Sequence, residues 1–149
     1  MTDLKSFADL VPLEYGLCVA VTLRADSSPH ATVVNAAVLP HPVTGTDTVA
    51  FVSPSATVKL ANLRADPTIT LTIRSGWQWT TVEGAAQLIG PDEPHPGIDA
   101  EQHRLLIREI FAQAGVAQDW ETYDQAMRDK RGTLVFVIPN RVYTNHATP

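Results

Sequence analysis

Leu17, Val19, Val21 and Leu23 alternate with Cys18, Ala20, Thr22 and Arg24. A period of two is the spacing of a half-buried β-strand, whose successive side chains point to opposite faces. Nothing else constrains the fold as much, because the pattern returns along the chain between turn signals. Residues 31–39 form a second, Val-rich strand and residues 48–52 a third. Ile69, Leu71 and Ile73 oppose Thr68, Thr70, Thr72 and Arg74 in a fourth. Residues 77–88 make a long fifth strand with a bulge at Gly84, where a glycine interrupts the run. Residues 133–143 make the last, with Leu134, Phe136 and Ile138 on one face and Val135 and Val137 on the other. Asp, Ser, Gly and Pro mark turns at 25–29, 40–45 and 75–76. About six strands with few helices predict a small antiparallel barrel, mainly β with flanking helices (α+β).

The helical period appears in four places. Leu4, Phe7, Ala8 and Val11 share one face of a short opening helix, with Thr2 or Asp3 as its cap and Pro12 as its end. Within residues 53–67, Ser55 is the expected N-cap. Val58, Ala61 and Leu63 supply apolar contacts there, and Asp66 with Pro67 stops the helix. Ile107, Ile110, Phe111 and Ala114 follow the i, i+3, i+4, i+7 rule up to Gly115, and Trp120, Tyr123 and Met127 make another stripe. Residues 90–99, with Pro91, Pro94 and Pro96, read as a loop, either a plain surface connection or part of a lid. The 149 residues predict one domain over 1–149, large enough to fold without disulfides.

Eleven Lys and Arg stand against 16 Asp and Glu, a net charge of −5, which argues against nucleic acid as a partner. The first residues are mixed in charge, and no apolar run approaches the ~18 residues of a membrane span. A soluble cytoplasmic protein with no membrane partner is expected. The single cysteine, Cys18, excludes multi-cysteine zinc sites, and in mid-strand it reads as a buried, inert thiol. The five histidines show no metal-ligand spacing, so they read as ordinary surface or loop residues and no metal site is expected. Neither a GxSxG elbow nor a GxxxxGK[ST] phosphate loop is present.

One segment has the makings of a ligand site. From Ser53 through Ser55 and Thr57 to Lys59, the chain passes from a strand end into a helix start. Free N–H groups and a partial positive charge gather at such a start and suit a phosphate. The hydroxyls add donors, Lys59 adds a full charge, and Asn62 and Arg64 follow in the same helix. A capped surface helix with solvated cations is the plainer alternative. Trp77, Gln78 and Trp79 follow the 75–76 turn, and the two indoles project from one face of the strand. Such a pair stacks on a planar ring, closes a barrel end, or builds a subunit interface. Residues 120–131 read as a helix packed on the barrel with a solvated outer face.

Lys59, Asn62, Leu63, Arg64, Asp66 and Pro67 resemble the K-x-x-N-L-R-x-D-P segment of the flavin/deazaflavin oxidoreductases, which share the split β-barrel of pyridoxamine 5′-phosphate oxidase. Gly76, Trp77 and Trp79, followed by Val82 to Leu88, resemble the G-W-x-(aromatic)…V-E-G-x-A-x-L hairpin of the branch that uses coenzyme F420. Asp119, Trp120, Tyr123, Ala126, Met127 and Arg131 are similar to its D-W-x-x-Y-x-x-A-M…R helix, and Ile138, Pro139, Val142 and Tyr143 to its last strand. The resemblance implies a homodimer with two cofactor sites between subunits. It puts the cofactor phosphate at the Lys59 helix and its ring against Val33, Val34 and Asn35, with the turn carrying Trp77 and Trp79 reaching in from the partner. Many members carry Arg where this chain has Thr57, so the anion is held here with one charge fewer.

The resemblance implies a reductase that passes hydride from reduced coenzyme F420 to a small unsaturated organic substrate. In such an enzyme the cofactor carries the chemistry, which accounts for the absence of an acid–base pair. Ser53, Ser55, Thr57 and Lys59 would anchor the phosphate. Asn62 and Arg64 would steady that anchor or meet the anionic tail, and Trp77 and Trp79 would wall the acceptor site. The product's proton would come from water or from Tyr143. Two alternatives stand beside this: an FMN-dependent oxidase or reductase on the same fold, whose shorter anion suits Thr57, and a non-catalytic binder of a flavin, deazaflavin or haem-like ligand.

Overall fold

The structure, a computed structural model, describes residues 3–116 and 119–146. Six strands are present: β1 (Leu17–Leu23), β2 (Pro29–Pro40), β3 (Asp47–Ser53), β4 (Thr68–Ser75), β5 (Gln78–Ile89) and β6 (Thr133–Thr144). Every ladder is antiparallel, and the order β1-β2-β3-β6-β5-β4 closes into a barrel through pairing of β4 with β1. Four α-helices flank it: α1 (Lys5–Leu10), α2 (Val58–Ala65), α3 (Ala100–Gln113) and α4 (Trp120–Asp129). The expected α+β barrel is therefore the observed fold.

The barrel buries two separate cores. Inside it, Cys18, Ala20, Val34, Ala36, Ile69, Leu71, Ile73 and Val137 pack with Phe7 and Leu10 of α1 and Leu60 and Leu63 of α2. Outside it, Leu39, Ala50, Leu134 and Phe136 meet Ile107, Ile110 and Phe111 of α3, with Trp120, Tyr123 and Met127 of α4 packed against them. Each large side chain removed from water in this way contributes about 1.5–3 kcal/mol. The second core is the amphipathic helix and aromatic stripe read from the sequence. Asp99 and Gln102 form a capping box at the start of α3, and Gly115 takes a positive φ of 76° just past its end.

The bulge at Gly84 is real: the β5–β6 register shifts between Glu83 and Gly84. A Cβ at Gly84 would lie 2.2 Å from the carbonyl oxygen of Ile138, so only glycine lets the two backbones approach there. Several local expectations need correction. Val11–Leu13 forms a 3₁₀ turn that contains Pro12, so the proline tightens the helix rather than ending it. Leu4 holds the cap position of α1, while Asp3 accepts a hydrogen bond from the Lys5 amide at 2.8 Å; Thr2 lies outside the described residues. His41 is not a surface histidine. It is buried against Phe136 and hydrogen-bonded to Gln87 at 2.7 Å. Cys18 is buried as expected, and burial pushes its thiol pKa up to about 12. Among the described residues, no helix is long and apolar enough to cross a membrane.

Candidate functional site

The start of α2 is built by hydroxyls. Ser53 ends β3, is buried, and shares a 3.0 Å hydrogen bond with the Thr57 hydroxyl. Thr57, not Ser55, is the N-cap: its backbone is extended and its Oγ1 accepts from the Leu60 amide at 3.4 Å. The helix therefore begins two residues later than Ser55 suggests. Val58 is exposed, and Leu60 with Leu63 makes the buried contacts. Lys59 sits in the first turn, half-buried, with no hydrogen-bond or ion-pair partner among the described residues. Burial lowers its pKa. A partly desolvated ammonium at a helix N-terminus faces an unfavourable field, which an anion would relieve.

Register explains what lies opposite. The β2–β3 ladder runs from Pro40↔Asp47 to Ala36↔Phe51 and stops there. Continued, it would set Val34 against Ser53, but over residues 29–35 the ladder partner of β2 is β1 alone. One side of that backbone has no ladder partner among the described residues, and the register carries it toward the strand end that leads into α2. Val33 is 63% exposed, Val34 is buried, and the Asn35 amide nitrogen donates to the Tyr15 carbonyl at 2.7 Å. Asn62, three residues after Lys59 and so on the same face of α2, donates to the Thr22 hydroxyl at 3.0 Å. Thr22 pairs with His30 on β2. His30 Nδ1 and Thr32 Oγ1 are buried here without a hydrogen-bond partner among the described residues. Such orphans each cost on the order of 1–3 kcal/mol. Sequence reading missed both; their polar character on the inner face of an otherwise apolar strand was the available signal.

Ser55 and Arg64 look the other way. The Ser55 hydroxyl donates to Asp92 at 2.5 Å, and Arg64 donates to Ser55 (Oγ at 2.9 Å, the carbonyl at 3.0 Å) and to Glu93 at 2.5 Å. Arg131 grips Asp92 at 2.7 Å. Hydrogen bonds from Arg131 and then Ser55 hold the Asp92 carboxyl down to a pKa of about 2. This network pins the 90–99 loop to α2 and buttresses the Lys59 turn, so Arg64 has already satisfied its charge. Asp92 and Glu93 lie 37 and 29 residues from their partners, beyond the reach of local sequence patterns.

Along the strand rows, the aromatic residues are set apart from Val33 of their own chain. Trp77 is 93% exposed at the β4–β5 turn, and Gln78 beside it is also exposed. Trp79 meets the Tyr143 ring edge-on at 6.1 Å. Pairings run Val33↔Val19, Val19↔Thr72, Thr72↔Thr81 and Thr81↔Tyr143. Tyr143 is thus four strand spacings, roughly 19 Å, from Val33 along this row. Its hydroxyl donates to Glu83 at 2.6 Å, and that carboxylate raises its pKa. Among the described residues, no group of three or more His, Cys, Asp or Glu side chains is placed to hold a metal ion.

The family model described as pyridoxamine 5′-phosphate oxidase matches residues 7–146. The chain belongs to this family. Its resemblance to the flavin- and deazaflavin-binding split barrels thus extends over nearly the whole sequence. Among solved structures, it is similar to a conserved hypothetical protein of Mycobacterium tuberculosis (18% identity, 100% of this chain and 92% of that one, TM-score 0.66). It is also similar to an F420 reductase (14% identity, 91% and 94% covered, TM-score 0.65). A third is a pyridoxamine 5′-phosphate oxidase-related, FMN-binding protein of Nostoc punctiforme (10% identity, 97% and 84% covered, TM-score 0.64). At these identities the likeness is one of fold. The pyridoxamine 5′-phosphate oxidase family includes oxidoreductases with flavin-type cofactors.

Proposed function

We propose that this protein is a coenzyme F420-dependent reductase, working as a homodimer with two cofactor sites between its subunits. The observation that carries the proposal is Lys59: a half-buried cation without a counter-ion among the described residues, at a helix start that follows the strand end in register with the unpaired stretch of β2. The surroundings fit an anionic, ring-bearing cofactor. Lys59 and the first α2 amides bind its phosphate, with Ser53 and Thr57 fixing the turn. The free backbone edge at 33–35 orients the ring; His30 and Thr32, on the same strand, keep buried, unpartnered polar atoms on its inner face. Ser55, Asn62 and Arg64 hold α2 against the loop and β1 rather than touching the cofactor.

When bound, reduced F420 supplies hydride to a small unsaturated organic acceptor. The protein positions the two and excludes water. The exposed Trp77 and its neighbours Gln78 and Trp79 wall the acceptor space of the partner's site, because Trp79 packs on Tyr143, four strand spacings along the barrel from Val33 of its own chain. Leu17, Val19 and Val33 form an outward apolar stripe, 45%, 42% and 63% exposed, for the second subunit to cover. Glu83 holds the Tyr143 proton, so the product's proton comes from water. FMN is the second reading, favoured by one observation: with Arg64 paired to Glu93, Lys59 is left as the free cation of this turn, which suits a short anion.

The test is a titration of purified protein with F420, FMN and haem, followed by intrinsic tryptophan fluorescence, and then oxidation of reduced F420 by an enone. Saturable F420 binding tighter than FMN, with turnover, is the expected result. Tighter FMN binding would replace the cofactor. Binding without turnover on any acceptor would leave a carrier, and no binding of any of the three would overturn the reading.

A further inference from the structure

A cavity of about 620 Å³, half open to solvent, is lined by the 90–99 loop, α3 and α4, and none of its lining residues belongs to α2. Its size is that of a small-molecule site. Ile89, Ile98, Ile107, Met127 and Pro94 give it an aliphatic wall. Three prolines stiffen the loop over it, and Asp92 and Glu93 fasten that loop to Arg131 and Arg64, so the roof is braced before anything binds. His103 is one wall. Burial lowers its pKa more than the nearby Gly132 and Ile89 carbonyls raise it, and neither carbonyl makes a well-formed hydrogen bond with it. Its imidazole is neutral at physiological pH.

The charges at the cavity are unequally committed. Asp99 caps α3 through the Gln102 amide at 2.8 Å. Glu101 pairs with Arg104, and Asp124 pairs with both Arg104 and Arg108. Arg128 is different: it donates to the Gln125 side chain at 2.7 Å and has no carboxylate partner among the described residues. Glu101 and Asp124 have cation partners and Asp99 has its capping amide, whereas the guanidinium of Arg128, exposed at the cavity's edge, faces no carboxylate among the described residues. A carboxylate group completes that guanidinium with charge-assisted hydrogen bonds, and an aliphatic body fills the space behind it.

We infer that this cavity is a second binding site, separate from the proposed cofactor cleft, for a small aliphatic carboxylic acid seated against Ile98, Ile107 and Met127 with its carboxylate on Arg128. The test is isothermal titration of the full chain with decanoate, decanol and decylamine. Decanoate is expected to bind about tenfold more tightly than decanol, and decylamine more weakly than either. Arg128→Gln keeps the exposed helix surface and is expected to bring decanoate down to the decanol level. Ile98→Trp narrows the aliphatic space and is expected to weaken binding of all three at least tenfold while leaving the Lys59 turn intact. Circular dichroism confirms that both variants are folded. No saturable heat from decanoate would overturn the inference. So would equal binding by Arg128→Gln, unchanged binding by Ile98→Trp, or a preference for decylamine. Because no cofactor is added, these outcomes are independent of whether F420 or FMN binds at Lys59.

Discussion

The barrel has two outer faces with similar strand patterns and different fates. On one, Leu39, Ala50, Leu134 and Phe136 are fully or almost fully buried beneath α3 and α4. On the other, Leu17, Val19 and Val33 stand largely open, in rows continued by Thr72, Thr81 and Tyr143. A self-contained antiparallel barrel presents polar residues on a bare face. Aliphatic residues there imply a cover, and the second copy of this chain is the cover proposed. The alternation in the sequence states that a strand has two faces; it does not state what lies on each.

Phe136→Ala probes the covered face and is expected to have the largest effect. It should cost about 3–5 kcal/mol, read as a fall in the urea midpoint. A loss much below that would mean α3 and α4 are loosely applied. Val33→Asp probes the bare face. It should leave the circular dichroism spectrum intact but halve the mass measured by light scattering, because a buried unpaired carboxylate opposes association. A monomeric wild type, or a variant that keeps its mass, would remove the dimer from the account.

Sequence reading was strong where local patterns repeat. The six strands, the α3 stripe and the Gly84 bulge all follow from period and glycine chemistry. It failed where the decision is made at a distance. Thr57 takes the cap because Ser55 is drawn to Asp92, 37 residues on, and to Arg64. Arg64 reads as a free cation until Glu93 folds over it. The orphaned atoms of His30 and Thr32 appear only once distant strands and helices close over the inner face of β2, and the cavity under the 90–99 loop needs three elements to exist at all.

Smaller effects sharpen the contrast between the working turn and the bare face. Thr57→Ala removes the α2 cap and should cost about 1 kcal/mol of stability, with the lost Ser53 contact loosening the turn. An unchanged thermal midpoint would show that the cap contributes nothing. Tyr143→Phe should leave the rate of acceptor reduction unchanged, since Glu83 already holds the phenolic proton. A slower rate would make Tyr143 the proton donor.

Titration of wild type and Lys59→Ala with F420 at low salt is the most direct measurement. The variant should bind more weakly by about 1.5–3 kcal/mol, roughly a ten- to 150-fold rise in Kd. In the wild type, affinity should fall as pH rises through the lysine's lowered pKa, because the anion binds the protonated amine and that form is lost. Equal dissociation constants for the two proteins, with no alkaline loss of affinity, would contradict the account.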